Sequence, residues 1–301
     1  MSVFTLIAPL LLVACCGFGC SRSGWFSREQ IDGISRFAFS VSIPLLLFST
    51  MLTVPLKESL RLEVLFAFYL PVISLFWLMA FAAAWWLKRP VSECAALGLG
   101  SCYSNTLLVG LPLIMAAFGP EKLVTVFLIL PFHSAVLFGM TFALSGGQRW
   151  QGVAVSLLRN PVVASLTLGI IGNLIGFKLP ALFAQAVEML AQPAIVCALF
   201  VLGANMHYYK LRSSVTPTLV LSVIKLFLLP ATVCGLGIVL GLTREELAIT
   251  TLLAASPLGV NAYLIACQLE RDMATIAATV LVSSCLSVIS SGIWLMLLVG
   301  D

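Results

Sequence analysis

Apolar runs separated by short polar breaks fill almost the whole chain. Read by length against the roughly 20 residues that a helix needs to cross a bilayer, they give ten spans. Five lie at about 3–20, 34–54, 64–87, 94–118 and 123–144, and after a connector at 145–160 five more lie at about 161–177, 183–206, 215–241, 247–269 and 274–299. Two of the ten are poor helices. Tyr103 to Gly119 carries Ser104, Asn105, Thr106, Gly110 and Pro112 in its interior, and Ala254 to Leu269 carries Ser256, Pro257, Gly259 and Asn261. Proline removes a backbone donor and glycine is permissive. Backbone freed at membrane depth must be satisfied by protein or by a water-filled cavity. Two interrupted spans in corresponding places of two halves point to a transporter binding site.

Composition sharpens this reading. With 61% hydrophobic and 9% charged residues among 301, there is too little charge to cover a water-soluble surface of that size. The partner expected on all sides is therefore the lipid bilayer. The connectors leave no room for a soluble domain. The net charge of +4 is spread singly over short loops, which leaves nucleic-acid binding without a basic surface. The nine cysteines fall mostly inside apolar runs and show no paired ligand spacing, so they read as small apolar residues and not as a metal site. Leu12-Val13-Ala14-Cys15 has the look of a lipoprotein processing site, but no Lys or Arg precedes it. A signal peptide wants a positive leading region, and an uncleaved first span is expected.

Basic residues give the orientation. Ten of them (Arg22, Arg28, Arg36, Lys88, Arg89, Arg149, Arg159, Lys210, Arg212 and Arg271) lie on the side reached after odd-numbered spans, and five (Lys57, Arg61, Lys122, Lys178 and Arg244) on the other. Positive loops stay cytoplasmic, which places both termini outside. The halves also match each other. Pro9 with Gly17 matches Pro161 with Gly169 at a shift of 152, Pro44 matches Pro193 at 149, and Ala116-Ala117 matches Ala266-Cys267 at 150. Five spans per half is an odd number, so the second copy enters the membrane from the opposite face.

Four stretches resemble the auxin efflux carrier family: Asn105-Thr-Leu-Leu-Val-Gly-Leu-Pro112-Leu, Ser42-Ile-Pro-Leu-Leu-Leu-Phe, Arg159-Asn-Pro-Val-Val, and Ala-Ser-Pro257-Leu-Gly-Val-Asn261-Ala-Tyr. The first is the most specific. Plant members of that family are the PIN-formed carriers, and bacterial members include proteins named as malate and malonate permeases. The resemblance implies an all-α membrane protein of the bile-acid symporter and sodium/proton antiporter type, with ten helices as two inverted five-helix repeats and two crossing broken helices. It implies a first repeat at 1–144, a cytoplasmic connector at 145–160 and a second repeat at 161–301. Helices 1, 2, 6 and 7 would form a scaffold, and helices 3–5 with 8–10 a core that moves like an elevator. A substrate carboxylate would sit at the crossover near Asn105 and Asn261, flanked by Ser104 and Ser256 and framed by Gly110, Pro112, Pro257 and Gly259. The chain departs from the plant carriers at Ala262, where they have proline, and in its short connector.

Individual residues keep two readings. Asn105 and Asn261 are either interhelical hydrogen-bonding glue or donors to an anion beside opened helix N-termini. Lys225, about ten residues or roughly 15 Å into span eight, either serves substrate and ion coupling, or snorkels or neutralises helix C-termini. His133, at similar depth in span five, either titrates or bonds a neighbouring span. Gln185, Glu188 and Gln192 share one face of span seven, as a solvated entry. Ser283, Ser284, Ser287, Ser290 and Ser291 read as a packing face. No arrangement of nucleophile, base or phosphate loop is present, so an enzyme is not expected, and neither is a cofactor or a metal. The expected function is secondary transport of a small mono- or dicarboxylate in a bacterial inner membrane, with a homodimer within the expectation. The rivals are a sodium-coupled symporter and a sensor of the same fold that does not transport.

Overall fold

The computed structural model describes residues 3–53, 61–119, 122–145, 161–208, 215–269 and 273–299. All but Ser145 of the connector at 145–160, and with it Arg149 and Arg159, lies outside the described residues, as do Lys57, Lys210, Arg212 and Arg271. The described secondary structure is helical apart from one isolated β-bridge, as expected where backbone in hydrocarbon must satisfy itself without a closed barrel. The helices are α1 (Val3–Arg22), α2 (Arg28–Thr53), α3 (Leu62–Trp85), α4 (Val91–Cys102), α5 (Thr106–Phe118), α6 (Leu123–Leu144), α7 (Pro161–Leu174), α8 (Ala181–Met206), α9 (Val215–Val239), α10 (Arg244–Ala255), α11 (Val260–Leu269) and α12 (Met273–Val299). Among the described residues, α2, α3, α6, α8, α9 and most of α12 are long and apolar enough to cross a membrane.

Two helices begin earlier than their apolar runs. Ser27 and Gln30 form a reciprocal capping box that starts α2 at Arg28, and Thr243 with Glu246 does the same for α10. Each box satisfies two backbone donors that the first turn would otherwise leave open. The polar turns Arg28–Arg36 and Arg244–Glu246 are thus helical without being apolar.

Prolines reshape three helices without ending them. A single wide π turn precedes Pro44 (Ala38–Ser42), Pro112 (Thr106–Gly110) and Pro230 (Ile224–Leu228), each closing two residues before the ring. The wide turn gives the ring room where an ordinary turn would set it against the carbonyl four residues back. The carbonyl that Pro230 cannot serve, Leu226 O, is taken by the indole Nε1–H of Trp294 at 3.0 Å.

Internal contacts divide the chain into two compact units. One comprises 1–60, 111–131 and 155–208, the other 61–110, 132–154 and 209–301. Within the first unit α1 lies directly on the second half of α8. A Cβ on Gly17 would stand 2.0 Å from Phe200 O, and one on Gly203 would stand 1.8 Å from Ala14 O. These glycines are required because the two backbones touch, as small residues allow. In the same unit α7 packs on the end of α2, where Asn173 Nδ2 donates to the carbonyls of Met51 and Leu52 at 2.9 and 3.0 Å. In the second unit Arg61 closes on Glu246 at 2.8 Å, tying the start of α3 to the start of α10.

Candidate functional site

The second unit contains two helices that stop and restart. α4 ends at Cys102 and α5 begins at Thr106, while α10 ends at Ala255 and α11 begins at Val260. The extended residues between them pair as a minimal antiparallel bridge centred on Ser104 and Leu258. Asn105 N–H donates to Pro257 O at 2.8 Å, and Gly259 N–H donates to Tyr103 O at 3.0 Å. The two outward donors are met by side chains. Ser104 N–H donates to His133 Nε2 at 2.9 Å, and Leu258 N–H donates to Ser283 Oγ at 3.0 Å. Each broken segment therefore has its central amide held by a helix later in its own half, α6 in one case and α12 in the other. This is the accounting that irregular backbone at membrane depth demands.

The first break falls at Tyr103–Asn105, on Ser104 and Asn105 of the residues singled out in that stretch and upstream of Gly110 and Pro112. Pro112 lies inside α5, with the wide turn already formed before it. Gly110 and Gly259 are needed for close approach and take no left-handed backbone angle. A Cβ on Gly110 would meet Leu253 Cδ2 at 2.9 Å and Ser256 Oγ at 3.0 Å, and one on Gly259 would meet Tyr103 Cε1 at 2.5 Å.

Asn105 is the N-cap of α5. Its Oδ1 accepts from Leu108 N–H at 3.3 Å, the third residue of the helix, which is the usual capping bond. That bond turns Nδ2 the other way, and Nδ2 is buried with no hydrogen-bond partner among the described residues. Ser104 Oγ and His133 Nδ1 are in the same condition. His133 accepts at Nε2, so its hydrogen resides on Nδ1 and the ring is held in one neutral tautomer. A second hydrogen would set Nε2–H against Ser104 N–H. The ring is further fixed by stacking on Tyr103, with centroids 5.0 Å apart, and by the edge of Phe68 at 5.6 Å.

Asn261 sits in the first turn of α11 and is exposed, with Nδ2 donating to the Tyr103 hydroxyl at 3.2 Å. The two asparagines are not equivalent. One caps a helix from the extended segment; the other projects from the helix that follows its break. Lys225, in the wide turn of α9, is fully buried, which excludes snorkelling. Its Nζ donates to Ala254 O at 2.5 Å and Ser256 O at 2.6 Å, the carbonyls at the open C-terminus of α10. A cation there opposes the negative end of the helix dipole. Ser256 Oγ donates back to Leu252 O at 3.2 Å and finishes the same helix.

The structure thus gathers Ser104, Asn105, Gly110, His133, Lys225, Ser256, Pro257, Gly259 and Asn261 into the second unit. Pro112 is grouped with the first. Tyr103 and Ser283 were not singled out as site residues. Tyr103 opens the broken stretch just before Ser104 and Asn105, a position that could have drawn attention to it, while Ser283 is hidden in a run of small residues. Glu188 and Gln192 are elsewhere, lining a cavity of about 1020 Å³ in the first unit with Thr50, Thr53, Phe177 and Lys178. Gln185, on the same helix face, does not line it.

The sequence profile described as "Membrane transport protein" matches residues 2–146 and 150–295. The chain belongs to this family, that of the auxin efflux carriers. Among its relatives in the family, a "Putative malonate transporter" of Rhizobium meliloti (strain 1021) is 25% identical over 295 residues, covering 94% of this chain and 92% of the relative. An "Uncharacterized transporter" of Methanothermobacter thermautotrophicus is 25% identical over 304 residues, with 97% of each chain covered. The "Uncharacterized transporter YfdV" of Escherichia coli (strain K12) is 21% identical over 308 residues, covering 96% and 95%. The family is one of membrane transporters, and both broken helices fall within the matched residues.

Proposed function

We propose that this protein is a secondary transporter of a small organic anion, a mono- or dicarboxylate, whose carboxylate binds where the two broken helices cross. The observation that carries the reading is the Asn105 amide. Its oxygen is spent on capping α5, and its Nδ2 remains buried without a partner at the positive end of that helix. A donor so placed suits an anion, which a helix N-terminus also attracts. Asn261, at the start of α11, offers the second opened N-terminus. The relative named for malonate adds a chemical class of the same kind.

The site favours an anion that moves without sodium. Five of the backbone oxygens that a cation would draw on at the crossover are already engaged. Tyr103 O and Pro257 O accept from the crossing backbone, Asn105 O accepts from Val109 and Gly110, and Ala254 O and Ser256 O hold the Lys225 ammonium. Lys225 supplies the fixed positive charge itself. In this reading the chain forms ten spans as two inverted five-helix repeats (1–144 and 161–301). Helices 1, 2, 6 and 7 are the scaffold, and helices 3–5 and 8–10 are a core that slides as an elevator in a bacterial inner membrane. Both termini are periplasmic, the 145–160 connector is cytoplasmic, and the carrier works singly or as a homodimer. Support for the repeat is the matching support of Ser104 and Leu258 by His133 and Ser283, which lie 150 positions apart.

The test is flux in proteoliposomes with a panel of labelled carboxylates. Saturable uptake that survives replacement of sodium by choline supports the proposal. Sodium-dependent uptake supports a symporter, and binding without uptake a sensor.

A further inference from the structure

Tyr103 links both broken segments and α6. Its carbonyl accepts from Gly259 N–H, and its ring lies between His133 and Phe138 at 5.0 Å from each. Its hydroxyl stands 2.9 Å from Ser134 Oγ and 3.2 Å from Asn261 Nδ2. A phenol carries one hydrogen and can accept as well. Either hydroxyl of the Tyr103–Ser134 pair can donate to the other; when the phenolic hydrogen goes to Ser134 Oγ, the phenolic oxygen is left to accept from the Asn261 amide. The contact fixes which way the amide faces: Nδ2 is turned to Tyr103, and Oδ1 is left free on an exposed residue.

We infer that Tyr103 is a positioning residue that orients Asn261, so that the crossover presents a buried donor at Asn105 Nδ2 and an accessible acceptor at Asn261 Oδ1. The inference rests on the anion-carrier reading and deepens it. A site with one donor and one acceptor selects a carboxylate that carries a hydrogen-bond donor of its own, such as a hydroxyl, an N–H or a second carboxyl that keeps its proton. An acid without such a donor satisfies Asn105 but leaves the Asn261 oxygen facing an alkyl group. Because Asn261 is exposed, water offsets part of that loss, and the discrimination is that of one ordinary hydrogen bond, about 3- to 10-fold in affinity. Without the phenolic hydroxyl the amide is free to turn over and present either end, and the preference disappears.

The experiment uses the purified full chain and three acids of one carbon skeleton: propanoate, 2-hydroxypropanoate and 3-hydroxypropanoate. Binding is measured by titration calorimetry for the parent and for Tyr103→Phe. The expected result is that at least one hydroxy acid binds the parent about 3- to 10-fold more tightly than propanoate, and that this ratio falls below about 2 in the variant. Packing damage lowers all three affinities together, so the ratio reports positioning and not fold. If Tyr103→Phe is not recovered folded, Ser134→Ala, which removes only the receiver of the phenolic hydrogen, is expected to lower the ratio in the same way. Equal binding of all three acids by the parent overturns the inference and leaves the anion reading standing, as does a ratio unchanged in the folded variant. Failure of every acid to bind the parent removes both.

Discussion

Substitution at Asn105 can separate the two tasks of that side chain. Oδ1 caps α5 through Leu108 N–H, while Nδ2 is the free donor assigned to the anion. Asn105→Asp keeps the shape and the capping oxygen, since Asp and Asn are near-equal N-caps, but replaces the donor by a second acceptor. The cap should therefore cost no more than a few tenths of a kcal/mol. The anion should lose a hydrogen bond to a charged group, about 1.5–3 kcal/mol, or roughly 10- to 150-fold in Kd. Asn105→Ala loses both, adding about 1 kcal/mol of helix stability to the lost affinity. Asn105→Ser serves as a control that keeps a capping oxygen on a side chain too short to reach the ligand. Calorimetry with a bound carboxylate gives the affinity, and thermal melting in detergent gives the stability. An Asp variant that binds with parental affinity, or an Ala variant that only melts earlier, would show that Asn105 is structural and refute the assignment.

Other consequences are simpler to check. Lys225→Met leaves Ala254 O and Ser256 O buried without donors, at about 1–3 kcal/mol each, so both carboxylate transport and melting temperature should fall. Retained transport would remove Lys225 as the internal cation. Gly203→Val sets a side chain where a Cβ alone would stand 1.8 Å from Ala14 O. It should reduce the yield of monodisperse protein severely by size-exclusion chromatography, whereas valine at Gly235, with open space around its Cβ, should not. A reporter enzyme active only in the cytoplasm should be silent when fused after Asp301. Activity there would reverse the orientation drawn from the loop charges.

Much of the site was legible because polar residues, glycine and proline inside an apolar run need a reason. Ser104, Asn105, His133, Lys225, Ser256 and Asn261 stand out on that ground, and the second unit holds all of them. The second break lies on Ser256, Pro257 and Gly259, all singled out in the sequence, and the first on Ser104 and Asn105 but not on the stronger breakers of its stretch. Gly110 and Pro112 look like breakers in sequence, but a wide turn absorbs the proline and a close contact accounts for the glycine. Whether a proline ends a helix or bends it depends on what meets the freed carbonyl, and for Pro230 the donor is Trp294, 64 positions away. Tyr103 and Ser283 were missed for the same reason. An aromatic residue or a serine in a membrane helix carries no mark of its partner until the tertiary fold brings one. The early starts of α2 and α10 could have been read, since Ser27-x-x-Gln30 and Thr243-x-x-Glu246 are capping boxes in plain view. Apolar periodicity alone passes over them because their first turns are charged.

The central claim is that a carboxylate crosses the membrane by binding at the crossover, with Lys225 in place of a sodium ion. The most direct measurement is uptake of labelled malonate and of small monocarboxylates into proteoliposomes, for the parent and for Asn105→Asp, in sodium and in choline medium. The account predicts saturable uptake of at least one acid by the parent, unchanged in choline and lost in Asn105→Asp. Uptake that stops when sodium is removed, or that Asn105→Asp supports as well as the parent, would contradict it.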